Sequence, residues 1–447
     1  MSHSAVPQPG EAPIQPAKGE IYRALRALRH RNFRLFFGGQ SISLIGTWMT
    51  RIATAWLVYR LTGSAWLLGI VGFAGQIPTF LLAPFAGVWV DRLNRRQVLV
   101  VTQALAMGQS LALAALTLSH RITVTEIIIL SVFQGFINAF DMPGRQAFLV
   151  EMIEGREDLG NAIALNSSMV TMARLIGPSL AGLVIAGFGE GYCFLIDGIS
   201  YIAVIISLLM MRLPQFLEKP PLVSMMAQLK EGWIYVSKFA PVRTILLLFA
   251  VISLMGMPVT VLMPIFAAQI LHGGAHTLGF LMGALGAGAL VGAIMLAFRK
   301  SVLGLGRVIA VSSALFGVGL IAFGLSRIEW LSMTLMVVTG FGMMQQMAAS
   351  NTIIQTVVPE DMRGRTMSYY TMAFVGMAPF GSLLAGALAN LASAPTTLVI
   401  TGAFCVAAAG WFASQLPMIR RHIRPVYREL GILPPEVIAV MADGSGD

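Results

Sequence analysis

The sequence predicts an all-α membrane protein with twelve transmembrane helices in two pseudo-symmetric six-helix bundles. Three observations predict it. Of the 447 residues, 56% are hydrophobic, only 11% are charged and 46 are glycine, and the mean hydropathy is +0.77, a balance outside that of ordinary soluble domains. The apolar residues gather into runs of about 20, the length a helix needs to cross a bilayer, and not into the alternating segments of about 10 residues that build a barrel. The loops between these runs alternate between very short turns and basic stretches, as expected for a chain threading back and forth through a membrane.

Taken in order, residues 1–30 form a Pro-, Ser- and Gly-containing tail without an apolar core, which reads as disordered and not as a signal peptide. Apolar runs then lie near 35–59, 65–89, 98–118, 124–144, 163–187, 192–211, 243–269, 277–298, 307–325, 330–354, 367–391 and 397–416. Most of the 30 basic residues fall on one side of these spans, from Lys18 to Arg34, at Arg92, Arg95 and Arg96, at Arg145 and Arg156, from Arg212 to Arg243, from Arg299 to Arg307, at Arg363 and Arg365, and from Arg420 to Arg428. The positive-inside rule therefore places both termini in the cytoplasm. The net charge of +10 thus points to the membrane and excludes a nucleic-acid partner. Cys193 and Cys405 both fall inside spans and read as packing residues, so no metal or cofactor site is expected.

The halves echo each other at an offset of roughly 205 residues, with Gly135 meeting Gly340 and Gly182 meeting Gly386. This divides the chain into an N-terminal bundle at 31–212, a linker at 213–241, a C-terminal bundle at 242–416 and a cytoplasmic tail at 417–447. In the linker, Leu222, Met226, Leu229, Trp233 and Val236 recur at helical spacing, which predicts an amphipathic helix in the headgroup region. The tail repeats the pattern weakly, with Ile419, Ile423, Val426 and Leu430 against Arg420, Arg421, Arg424 and Arg428, and Pro425 should interrupt it. Contact with anionic lipid is the expected role of both.

Charges within spans cost at least about 2.5–3.5 kcal/mol on insertion scales and so need a reason. In the first span Gln40, Ser43, Thr47, Arg51 and Thr54 share one helical face. Arg51 reads either as a cavity cation or as a side chain snorkelling to the interface beside Trp48 and Trp56. The fourth span carries Gln134, Asn138, Asp141 and Arg145, the last two spaced to pair directly. Arg174 lies on the face of Ser167 and Thr171 and reads as a second cavity cation. Asp197 reads equally as a proton carrier or as a structural partner for an arginine. In the second half Gln345, Gln346, Ser350 and Asn351 are the polar groups nearest the site that the repeat predicts, and several methionines offer an adaptable apolar wall.

The stretch Gly87-Val-Trp-Val-Asp91-Arg92-Leu-Asn-Arg95-Arg96-Gln-Val-Leu99 resembles the G-x-L-x-D-R-x-G-R-R/K-x-x-L signature of the major facilitator superfamily, with Trp89 and Asn94 departing. Ala173 to Gly182 resembles the antiporter signature G-x-x-x-G-P-x-x-G-G through Gly177, Pro178 and Gly182, the expected hinge, with Ala173 and Ala181 in place of glycines. The segments around Asp141 and Asp197 resemble the branch that includes the enterobactin exporter and related drug efflux proteins. The resemblance implies the major facilitator fold, a cytoplasmic charge network in which Arg145 meets Asp91, and a midplane cavity worked by alternating access. A second copy of the loop signature, at Ala297-Phe-Arg299-Lys300-Ser301, lacks its acid and reads as degenerate.

The function these readings imply is a proton-coupled exporter, expected to be monomeric, of a siderophore or amphipathic drug-like molecule. A lipid or lysolipid transporter of the same fold is the alternative, and a transporter-like receptor or scaffold a more distant one. No H-E-x-x-H, phosphate-binding loop or nucleophile elbow marks an enzyme.

Overall fold

A computed structural model describes residues 25–90, 92–153, 155, 157–212, 225–256, 259–299 and 301–432. Among these residues every regular element is helical. The first half contains α1 (Arg31–Thr62), α2 (Ala65–Val90), α3 (Arg95–Leu118), α4 (Val124–Glu151), α5 (Leu159–Phe188) and α6 (Glu190–Met210). A linker helix, α7 (Met225–Lys238), leads into α8 (Ala240–Met255) and α9 (Val259–Ile265), which ends in a π-turn at Phe266–Ile270. Then follow α10 (Ala275–Ala297), α11 (Leu305–Leu325), α12 (Glu329–Val357), α13 (Glu360–Val375), α14 (Ala378–Leu391) and α15 (Ala394–Glu429).

Local chemistry sets the helix ends. Gly63 adopts the left-handed conformation (φ 62°) that closes α1 with its N–H on the Tyr59 carbonyl. Asn94, a departure from the loop signature, caps α3 by accepting from the Gln97 N–H. Thr123 and Glu126 form a capping box at α4.

Among the described residues, ten helical segments are long and apolar enough to cross a membrane. The helices α1 and α12, at 32 and 29 residues, have the length but are more polar. Two predicted spans are interrupted. In the seventh, α8 ends at Met255 with Gly256 as its C-cap, and the eleventh breaks at Gly376 and Met377, before Pro379 in the first turn of α14. Conversely, α5 runs unbroken through Gly177 and Pro178, and α15 continues through Pro417, and through Pro425 where an interruption was expected, to Glu429. A proline lacks only one N–H, and packing of Ile419, Ile423 and Tyr427 on the second-half core holds the last turns together.

Helices α1–α6 pack on one another, as do α8–α15, and the halves meet along two seams, α5 on α10 and α2 on α14. Glycines set both seams. A Cβ on Gly182 would lie 2.7 Å from the Ala275 carbonyl oxygen and 2.9 Å from the Gly279 Cα. One on Gly69 would lie 2.8 Å from the Ser382 carbonyl oxygen and 2.9 Å from the Gly386 Cα. The same correspondence appears within each half, where Gly135 meets the Gly75 carbonyl of α2 and Gly340 the Leu285 carbonyl of α10. All four seam glycines lie near the helix ends remote from the chain termini. The molecule is closed at that end.

Candidate functional site: an arginine pair on Trp48 and a buried carboxyl behind it

The helices α1 and α5 pack tightly at Gly177, where a Cβ would lie 2.5 Å from the Trp48 Cβ and 3.0 Å from the Ile45 carbonyl oxygen. Removing that side chain brings two cations together. The Arg51 guanidinium lies 4.9 Å, and that of Arg174 5.1 Å, from the centre of the Trp48 ring. Neither arginine has an ion-pair partner among the described residues, and the buried Nε of Arg174 has no hydrogen-bond partner. Two guanidiniums on one indole gain cation–π attraction but repel each other. An anion placed between them would remove that repulsion.

The polar face of α1 divides. Gln40 and Ser43 are buried, whereas Thr47 and Arg51 are exposed. The predicted five-residue stripe therefore narrows to its outer part, because Gly39 brings α6 against the inner part at Ser207. Thr47 donates to the Ser43 carbonyl (3.0 Å) and meets the Tyr201 hydroxyl of α6 at 3.3 Å.

Directly behind this wall lies Asp197. A Cβ on Gly46 would lie 2.8 Å from its Oδ1, so glycine is what lets the carboxyl reach the α1 backbone. Its Oδ2 accepts from Ser110 Oγ at 2.8 Å, while its buried Oδ1 has no hydrogen-bond partner.

Asp141 contrasts with it. Thr102 and Gln103 of α3 donate to its Oδ1 at 3.0 and 2.7 Å, and Arg145 meets its Oδ2 at 2.6 Å. The expected bond of Arg145 to Asp91 involves a residue outside the described ones, and the acid that Arg145 meets is Asp141. In the same loop, Arg95 pairs with Glu151 at 2.5 Å, Arg96 donates to the Leu209 carbonyl at 2.5 Å, and Arg92 is exposed. Gly87 has open space where a Cβ would stand, so packing does not demand glycine there. Arg299, in the degenerate copy, donates to the Ser301 and Leu303 carbonyls and so holds its own loop.

The remaining polar residues do not converge on one wall. Gln134 and Asn138 bond to each other (3.0 Å), and Asn351 accepts from Gln355. Gln345 and Gln346 are buried, not open to a cavity, each with its Oε1 unpartnered, because Gly292 lets α10 close over Gln345.

Sequence reasoning missed a charge cluster at the terminus side. Asp158, at the start of α5, pairs with Arg26, with Arg29 at 3.0 Å and with His30 at 2.9 Å, all in the segment before α1. The second half carries the pseudo-equivalent contact with signs exchanged: Glu231 of α7 pairs with Arg365 of α13 at 2.6 Å. A repeat search that matches residue types cannot see a pair whose charges have swapped. On the opposite side, Arg60 makes a two-point bond to the buried Glu190 (2.7 and 3.1 Å), a pairing that no local spacing reveals.

A family profile described as transmembrane secretion effector, within the major facilitator superfamily, matches residues 23–442. The chain belongs to that family. It is an integral, multi-pass membrane transporter of the major facilitator fold and not an enzyme. It is 25% identical over 387 residues to the staphyloferrin A transporter of Staphylococcus aureus, covering 86% of this chain and 96% of that protein. It is 26% identical over 363 residues to the multidrug efflux pump Tap of Mycolicibacterium fortuitum, covering 79% and 88%. Among solved structures, a bacterial homologue of the human lysosomal transporter Spinster superposes with a TM-score of 0.68 at 14% identity, covering 91% of this chain and 99% of that one. A POT family transporter superposes with a TM-score of 0.71 at 12% identity, covering 87% and 96%. At such identities these likenesses bear on the fold alone.

Proposed function

We propose that this transporter is a proton-coupled exporter of an anionic, amphipathic small molecule of the siderophore or drug-like class. It works by alternating access in the bacterial cytoplasmic membrane with both termini inside. The observation that carries the reading is the convergence of Arg51 and Arg174 on Trp48 without a carboxylate partner. Paired guanidiniums favour a carboxylate or similar oxyanion, and the indole adds an apolar face for the rest of the molecule. Relatives named for a siderophore and for drug efflux support the substrate class. Asp197 is the coupling carboxyl in this reading, because its unpartnered oxygen is where a proton is taken up, whereas both oxygens of Asp141 are engaged.

The test is transport into proteoliposomes under an imposed pH gradient, using labelled carboxylate siderophores, cationic drugs and lysolipids side by side. Carboxylate substrates should move, and R51Q and R174Q should each slow them by about 10- to 100-fold, the loss of one charge-assisted hydrogen bond of about 1.5–3 kcal/mol. Gradient-driven movement of cationic drugs or lysolipids alone, unchanged in both variants, defeats the anionic reading.

A further inference from the structure

The last helix carries a second cationic site that the transport reading does not use. Pro417, Arg420, Arg421, Arg424, Pro425 and Arg428 line a groove of about 500 Å³ on α15. Their spacing of three, one, three, one and three residues puts all six on one helical face. On the other side Ile419, Ile423 and Tyr427 are 3%, 5% and 8% exposed and pack into the second-half core, which fixes the rotation of the helix and turns the arginines outward.

None of the four guanidiniums has an ion-pair partner among the described residues. The position of the groove indicates what they meet. At about 1.5 Å per residue, the 36 residues of α15 span roughly 54 Å against about 30 Å of hydrocarbon. If the helix enters the bilayer near Ala394, it leaves about 20 residues later, before Pro417. Arg420 and Arg421 then stand at the depth of the lipid phosphates, with Arg424 and Arg428 one and two turns beyond. Every basic residue of the stripe is arginine, whose planar fork binds phosphate oxygens two at a time, as the point charge of lysine does not.

We infer that this groove binds the phosphate headgroup of an anionic phospholipid in the leaflet on the terminus side. Attraction of basic residues to an anionic leaflet favours their clustering at this depth. The groove and the packing behind it favour a held headgroup over diffuse attraction.

Native mass spectrometry of the full chain, titrated with phosphatidylglycerol and with phosphatidylcholine of the same acyl chains, tests the inference. Phosphatidylglycerol should be retained at least about tenfold better than phosphatidylcholine. The variant R420Q/R421Q/R424Q/R428Q should lose that preference while still folding, as judged by its melting temperature in detergent, and the all-lysine variant should keep only part of it. Equal retention of the two lipids overturns the inference. So does inorganic phosphate at millimolar concentration displacing the lipid completely, which assigns the groove to a free anion. A tenfold gain in lipid binding on neutralising Glu436, Asp443 and Asp447 (E436Q/D443N/D447N) assigns it to the chain's own acidic end and also overturns it. Transport activity enters none of these readouts.

Discussion

Two aspartates buried in the same half, Asp141 at 3% and Asp197 at 1% exposure, differ in what surrounds them. Asp141 meets an arginine and two neutral donors, so its charge is compensated where it stands. Asp197 accepts from the Ser110 hydroxyl and lies beside the Thr47 and Thr50 hydroxyls, with no ion-pair partner among the described residues, and glycine at position 46 clears the space over its other oxygen. Opposite consequences of amidation follow. D141N strands the Arg145 guanidinium and should destabilise the fold by about 2–3 kcal/mol, visible as a lower melting temperature in detergent. D197N retains the Ser110 bond, so its melting temperature should change little, while proton-driven transport is lost and downhill substrate exchange survives. Loss of stability in D197N, with coupling intact, would assign Asp197 a packing role. All the intramembrane charges were legible as single residues from the cost of placing them in lipid. Their partners were not, because α1, α5 and α6 are brought together by Gly46 and Gly177, positions that look like ordinary small residues in the sequence.

At the scale of elements, each half ties its entry segment to the start of its fifth helix. In the first half the tie is Asp158 gripping Arg26, Arg29 and His30, across 129 positions in the case of Arg29. These bonds hold the Asp158 carboxyl below its ordinary pKa of 3.8, the His30 bond first among the causes. An acid with a depressed pKa stabilises the fold fully above its ordinary value and loses that contribution as pH falls through the lower, folded one. The tie should therefore be constant from pH 8 to pH 5 and fail only in strong acid. Hydrogen exchange of residues 26–34, corrected for intrinsic rates, should show steady protection over that range, and D158N should abolish it throughout. Helical spans were legible because hydropathy integrates over about 20 residues. The breaks within the seventh and eleventh were not, although Gly256, Gly376 and Pro379 sit at them, because proline and glycine are also common in unbroken membrane helices such as α5 and α15.

Over the whole molecule, the seams at Gly182 with Gly279 and Gly69 with Gly386 decide which end is shut. Backbone stands within 3 Å of where each Cβ would be, so no rotamer change relieves a larger residue. Gly182→Leu should cost the closed arrangement about 1–3 kcal/mol and shift the equilibrium by up to about 100-fold toward one open at that end. Spin labels at His120 and Arg327, exposed on that side in opposite halves, should report longer distances in this variant and in Gly69→Leu. Unchanged distances in both would show that the seams do not govern closure. The repeat behind these seams was legible as an offset between glycines. The exchange of signs between the Asp158 and Glu231 ties was not, since a sequence comparison scores opposite charges as unrelated.

The stacking of Arg51 and Arg174 on Trp48 also gives the protein a built-in optical probe. Indole emission responds to charge at its ring, so an anion that draws either guanidinium away changes the signal of this residue directly. With the other six tryptophans, Trp56, Trp66, Trp89, Trp233, Trp330 and Trp411, replaced by phenylalanine, occupancy becomes readable by fluorescence in an unlabelled chain, without a radioactive substrate or a pH gradient.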